Sequence, residues 1–257
     1  MNKSESESIA TMSDFPKIHC PLIRQTFKIN QDDWKKVGKK MQLRDPEVYL
    51  VVNKINPGFE WVFEDADTFA VEKLDGTNVK IKVENGRLIA VQNRKNVIDP
   101  LQILKGKTFL MEGIFKAIDK EYVKDNCEQV GEILGPKLQA NPYKLLYHEW
   151  YPFERAIEVL RYTSFDKHER NFDNWSSWFK DFLRSRYYMK LHKCQLEESV
   201  FAEGVIFYNL KRRAENKSWM AKLRRNMFDW YYQDQGVKIF DYSKEGRAEI
   251  EDQEKFD

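Results

Sequence analysis

A strand that stops at a glycine turn, with a tight hairpin directly behind it, constrains this chain more than any other stretch. From Phe69 the segment FAVEK reads as a strand that ends at the turn LDGT. NVKIKV follows, with Val79, Ile81 and Val83 on one face. Asn85-Gly86 then joins it to RLIAVQ, a two-residue hairpin signal, because both turn positions tolerate positive φ. The pattern therefore places Lys73 at a strand end, on a glycine-containing turn between paired strands.

The remaining segments agree with a mixed architecture. FPKIHCPLIRQTF reads as an extended opening and QDDWKKVGKKMQ as a short helix. NWSSWFKDFLRSRYY repeats bulky residues at Trp175, Trp178, Phe179, Phe182 and Leu183, which is helical spacing for a core-packed face, with Asp173 or Asn174 as its cap. AEGVIFYN and SWMAKL read as two further strands joined by a basic connection. Strands and helices without a regular βαβ rhythm predict an α+β fold of largely antiparallel sheets flanked by helices.

With 257 residues, the chain suits one large domain. We expect residues 15–240 to form it, between a flexible tail over 1–14 and an acidic tail over 241–257. No apolar run approaches the roughly 18 residues of a membrane helix, and the N-terminus lacks a signal-peptide core. A cytoplasmic or otherwise intracellular protein with no membrane partner is the expectation. Cys20, Cys127 and Cys194 stand far apart with no CxxC pair, which fits a reducing compartment and argues against a structural zinc site. The scattered His19, His148, His168 and His192 read as ordinary histidines. Net charge is only +2. Yet Lys211, Arg212, Arg213, Lys217, Lys222, Arg224 and Arg225 crowd the segment from Leu210 to Arg225 against the single acid Glu215. Taken alone, that run reads as a solvated hairpin; taken with other features, it is a local basic face.

The chemistry concentrates in Glu72-Lys73-Leu74-Asp75-Gly76-Thr77-Asn78. A lysine at a strand end beside a glycine turn can present its amine to a phosphate while the turn backbone approaches closely. Free lysine is protonated near neutral pH and needs a cationic neighbour or a metal before it can attack. By itself K-x-D-G is most often a surface turn.

Companions in order change that reading. EKLDGTN, QNRKN with Arg94, GEILGPKLQANPY with Glu132, HEWYPF, AEGVIF with Glu203 and WMAKLRRNMF with Lys222 follow one another along the chain. This succession resembles the nucleotide-binding motifs of the covalent nucleotidyltransferase superfamily, and most closely the ATP-dependent RNA ligases of the phage RNA ligase 2-like branch. The likeness runs from about Phe15 to Trp230. It implies a nucleotidyltransferase (ATP-grasp-like ligase) domain. Only 35 residues follow Lys222, so no C-terminal OB-fold is expected.

The resemblance also implies roles. Lys73 attacks the α-phosphate of ATP and becomes lysyl-AMP. Lys222 contacts that phosphate, and Arg94 contacts phosphate or, later, the 5′-phosphate of the substrate. Glu132 and Glu203 serve the ribose and Mg²⁺, with Mn²⁺ as a substitute. Phe153 stacks on the adenine, with Trp150 and Tyr151 as competitors, and Glu72 helps to read the base. Relatives offer K-x-K where this chain has Lys222 and Arg224, which keeps charge but changes geometry and leaves the role of Arg224 open. DNA ligases and capping enzymes carry arginine five positions after the nucleophile. Here that position is Asn78, the mark of the RNA ligase 2 branch, where it serves the steps after lysine adenylylation.

The implied function is ATP-dependent joining of RNA 5′-phosphate and 3′-hydroxyl ends, an RNA-repair chemistry, through lysyl-AMP and an adenylylated 5′ end. The partner is RNA, with DNA on one side of the junction left open. The basic segment from Lys211 to Arg225 would help to hold the phosphate backbone. The rivals are an RNA-capping enzyme using GTP and a non-catalytic RNA-binding relative of a ligase. Oligomeric state is open, with a monomer the simpler reading.

Overall fold

A computed structural model describes residues 12, 13, 15, 18–41, 43, 45–93, 96–100 and 106–241. Arg94, most of the 1–14 tail and nearly all of the 241–257 tail lie outside these residues. The strands are β1 (Leu22–Ile29), β2 (Glu47–Ile55), β3 (Phe69–Lys73), β4 (Thr77–Glu84), β5 (Arg87–Asn93), β6 (Asn96–Ile98), β7 (Cys127–Leu134), β8 (Glu149–Pro152), β9 (Gly204–Tyr208), β10 (Met220–Arg224) and β11 (Ile239–Asp241). The helices are α1 (Gln31–Met41), α2 (Trp61–Glu64), α3 (Thr108–Asp119), α4 (Phe153–Val159), α5 (Phe172–Ser177), α6 (Arg186–His192), α7 (Leu210–Ala214) and α8 (Trp230–Gln233). All pairs between these strands are antiparallel, so the fold is α+β as the sequence indicates. Among the described residues, no helix is long and apolar enough to cross a membrane.

The described residues divide into two compact units. One comprises Leu74–Arg161 and Arg186–Val200 with the described residues up to Lys17; the other comprises Ile18–Lys73, Tyr162–Ser185 and the described residues from Phe201 onward. The chain crosses from the second to the first at the Lys73–Leu74 bond.

The first unit is built on a five-stranded sheet in the order β6-β5-β4-β7-β8. Its hairpin turn has φ of 51° at Asn85 and 72° at Gly86, as Asn-Gly predicts. Val79, Ile81 and Val83 share one face and pack against Leu110, Met111, Ile114 and Ala117 of α3. That is period-two burial on a strand meeting the apolar stripe of a helix.

The second unit holds two three-stranded sheets, β11-β1-β2 and β10-β9-β3. Asn30 caps α1 by accepting the Asp32 amide at 2.8 Å, and Trp34, Val37 and Met41 carry the stripe that covers Ile29, Val48 and Leu50. Behind β10-β9-β3 lies an aromatic core in which Trp175 stacks on Phe63 at 4.6 Å and on Phe207 at 4.9 Å.

The structure departs from the sequence reading in two places. Strands β3 and β4 do not pair with each other: β3 pairs with β9 and β4 with β5 and β7, so the LDGT turn passes the chain between sheets of different units. The helical run over 172–182 is capped by Asn171, whose side chain accepts the Asn174 amide at 2.9 Å, rather than by Asp173 or Asn174. It loosens into a π-helical turn over Trp178–Phe182 and stops before Leu183. The break frees Leu183 and Arg184 to meet Ala202 and Phe201 in extended pairing. Trp175, Trp178, Phe179 and Leu183 are buried as their spacing predicts, whereas Phe182 is exposed.

Candidate active site

In the second unit, strand register decides which site residues share a face. Directly opposed residues of antiparallel strands point the same way, and successive residues alternate. Across β3, β9 and β10 the rows are Lys73–Gly204–Arg224, Glu72–Val205–Leu223 and Val71–Ile206–Lys222. Lys73, Lys222 and Arg224 therefore stand on one face. The alternate rows, with Ala70, Val205, Phe207, Ala221 and Leu223, form part of the buried aromatic core. The β10 residues follow the same beat, with Ala221 and Leu223 buried between half-buried Met220, Lys222 and Arg224.

Glu203, at the bend before β9, completes this face. Its Oε2 accepts from the Lys73 Nζ at 2.5 Å, and the two side chains retain 20% and 23% exposure. The main chain holds Glu203 in place, since its carbonyl accepts the Arg225 amide at 2.9 Å. The Arg184 and Arg225 guanidiniums lie 3.7 and 3.8 Å from the centre of the nearby Phe201 ring. Burial, reinforced by the positive charge of Arg184, lowers the basicity of Arg225, which also donates to the Phe179 and Lys180 carbonyls and so acts as a brace. Among the described residues the buried Nε of Arg224 has no hydrogen-bond partner.

Glu72 alternates onto the other face of β3. Its carboxylate is 2% exposed and accepts from the Ser185 hydroxyl at 2.5 Å. β3 is an edge strand of its sheet, and the Ala70 carbonyl accepts the Tyr162 amide at 2.9 Å on the side away from β9, the side to which the Glu72 main chain also turns.

The first unit presents a second set of residues. Asn78, Glu132 and Tyr151 form one row across β4, β7 and β8. Trp150 points the other way, into the core, where its indole donates to the Val79 carbonyl at 3.0 Å. Tyr151 packs edge-on against Tyr187 at 5.2 Å, and burial pushes its phenol well above the usual range. Phe153 begins α4, half-buried, just past the end of β8. Gly76 lies so close to β7 that a Cβ there would meet the Ile133 carbonyl oxygen at 2.3 Å and the Glu132 side chain at 2.8 Å. A glycine is needed in K-x-D-G for that approach, since its φ is not positive.

The basic run is less available than its composition suggests. Lys211 pairs with Asp67 at 2.6 Å, Lys217 with Glu215 at 2.7 Å, and Arg212 donates to the Ser218 carbonyl at 2.7 Å. The cysteines are free thiols, and burial pushes Cys20 up to about 11 even though Lys222 and Arg224 oppose the shift.

Among the described residues no group of three or more His, Cys, Asp or Glu could form a protein-only metal cage. Mg²⁺ seldom needs one, because it keeps several waters and takes one or two carboxylates together with substrate phosphates. Glu203, beside Lys73 and partly open to solvent, fits that mode.

Sequence reasoning missed two residues that matter here. Gly204 stands between Lys73 and Arg224 as the only side-chain-free position of its row, and its signal was the EG pair. Tyr143 closes the GEILGPKLQANPY motif without having been assigned a role, and its hydroxyl accepts the Asp75 amide at 2.7 Å.

No family model and no curated protein matches the chain. Among solved structures it is similar to a Naegleria gruberi RNA ligase with PPi, at 16% identity over 66% of this chain and 52% of that one, with a TM-score of 0.39. A mutant of that ligase with AMP and Mn gives 16% identity over 65% and 52%, with a TM-score of 0.40. An apo mutant gives 13% over 86% and 64%, with a TM-score of 0.42. The chain spans about half the length of the first two.

Proposed function

We propose that this chain is an ATP-dependent RNA ligase of the phage RNA ligase 2-like branch that carries AMP covalently on Lys73. The observation that carries the reading is the shared face of β3-β9-β10, with Lys73, Lys222 and Arg224 together and Glu203 bonded to the lysine ammonium.

Lys73 must shed a proton before its Nζ can attack, and the Glu203 carboxylate is already bonded to that ammonium. As the bond from Nζ to the α-phosphorus of ATP forms, the bond from that phosphorus to the bridging oxygen breaks and pyrophosphate leaves. Negative charge spreads over the phosphate oxygens, and Lys222 and Arg224 oppose it. Glu203 would hold Mg²⁺, or Mn²⁺ in its place, which would supply further positive charge, and Glu132, in the first unit, would serve the ribose. Phe153 would stack on the adenine, and Glu72 would read the base through its edge-facing main chain, its carboxylate being engaged by Ser185. AMP then passes to an RNA 5′-phosphate, with Arg94 and Asn78 serving this stage. Finally a 3′-hydroxyl attacks the activated 5′ end, and AMP departs as the strand is sealed.

Sealing assays on matched nicked and single-stranded RNA and DNA, with ATP or GTP and Mg²⁺, test this reading. We expect ATP-dependent sealing of RNA 5′-phosphate to 3′-hydroxyl ends. Failure to seal any substrate would overturn the ligase assignment. Covalent labelling from GTP in place of ATP would support the capping alternative, and RNA binding without any label a non-catalytic relative.

A further inference from the structure

We infer that Tyr143 is a positioning residue for the turn that joins Lys73 to Asn78, an inference that rests on the ligase reading above. Asp75 lies two residues after Lys73, and its backbone amide donates to the Tyr143 hydroxyl at 2.7 Å. A turn amide at the surface is ordinarily satisfied by water. Here a phenol from a side chain 68 residues away takes that place, and the tyrosine itself is only 2% exposed.

Tyr143 is held from several sides. Its ring packs edge-on against Tyr187 at 4.9 Å, and Tyr187 packs in turn against Tyr151 at 5.2 Å. Its own carbonyl lies 2.9 Å from the Nε2 of His192, which donates in the tautomer this contact requires. The loop that delivers it is built at a conformational cost. Gln139, Ala140 and Asn141 take φ of 45°, 57° and 50° in succession, and Lys144 takes 53°. Non-glycine residues rarely enter this left-handed region, and they stay there only when their surroundings fix them. The Asn141 side chain supplies part of that fixing by accepting the Leu145 amide at 3.0 Å and donating to the Leu145 carbonyl at 2.9 Å.

The turn is thus pinned at two adjacent residues: Asp75 by the Tyr143 hydroxyl, and Gly76 by its close approach to β7. A lysine that must meet phosphorus at near-attack distance depends on the rigidity of the chain just beyond it, because a displacement of about 1 Å can lower a rate about 100-fold. The Tyr143 hydroxyl touches no reacting atom in this account and acts through the turn.

Tyr143→Phe keeps the ring and removes the hydroxyl that accepts the Asp75 amide. Single-turnover labelling with ATP should show its rate of lysyl-AMP formation about 10- to 100-fold below that of the parent, with KM for ATP within about two-fold. Ile114→Val, a buried change under the same five-stranded sheet, provides the control for general loss of stability and should label at close to the parent rate after both variants are matched for thermal midpoint. A Tyr143→Phe rate within about three-fold of the parent overturns the inference and leaves the ligase reading standing. An Ile114→Val loss as large as that of Tyr143→Phe also overturns it, because stability alone would then account for the effect. Absence of label on the parent overturns the ligase reading, and the inference with it.

Discussion

Lys73→Arg is expected to abolish covalent labelling by ATP, with a loss of at least about 10³-fold, while the protein remains folded. Arginine keeps the positive charge that faces Glu203, so the electrostatic role of the residue survives the change. What it cannot do is deprotonate, since a guanidinium stays charged at any pH where the protein is folded. The substitution separates a nucleophile from a lysine present only for its charge. An RNA whose 5′ end is already adenylylated bypasses the need for lysyl-AMP, and Lys73→Arg should still seal it in the absence of ATP. Retained labelling in Lys73→Arg would move the nucleophile elsewhere, and failure to seal the preactivated end would point to wider damage at the site.

The second large effect is expected at Gly204. It sits on the central strand of β10-β9-β3, where a Cβ would meet the Leu223 carbonyl oxygen at 2.2 Å and the Arg224 Cα at 2.7 Å. Both obstacles are backbone, so no rotamer change relieves them. Gly204→Ala should therefore force β9 and β10 apart and cost about 2–4 kcal/mol of stability, measurable by urea unfolding. Because Lys73 and Arg224 are the two neighbours of Gly204 in its row, labelling by ATP should fall along with stability. Gly86→Ala makes a useful contrast. Its φ of 72° is strained for alanine, but nothing lies within 4 Å, and the cost should be about 1 kcal/mol. Equal effects at the two glycines would show that Gly204 is not a point of strand contact.

The sequence carried local information faithfully and non-local information poorly. Asn85-Gly86 and the alternation of Val79, Ile81 and Val83 sit within one hairpin, and both appear in the structure as expected. The turn after Lys73 was recognisable as a turn, but which strands its flanks would join was not, because β3 finds β9 about 130 residues further along the chain. The stripe from Trp175 to Leu183 announced a buried helical face, whereas its break depends on pairing with Phe201 and Ala202 and left no local mark. In the candidate site, Lys73, Glu203, Lys222 and Arg224 were legible as residues, and strand register added that the three cations share a face. Register also turned the Glu72 side chain away from that face, which follows from alternation once Lys73 is placed. Tyr143 was legible as the end of the GEILGPKLQANPY motif, but not its role, since its partner Asp75 lies 68 residues away.

Intact-mass analysis decides whether Lys73 is the residue that carries AMP. The protein is incubated with ATP and Mg²⁺, its intact mass is determined, and the modified site is mapped by peptide fragmentation. We expect a gain equal to one adenylyl group, lost on addition of pyrophosphate, with the modification on the Nζ of Lys73. An unchanged mass, or an adenylyl group on any other residue, would contradict it.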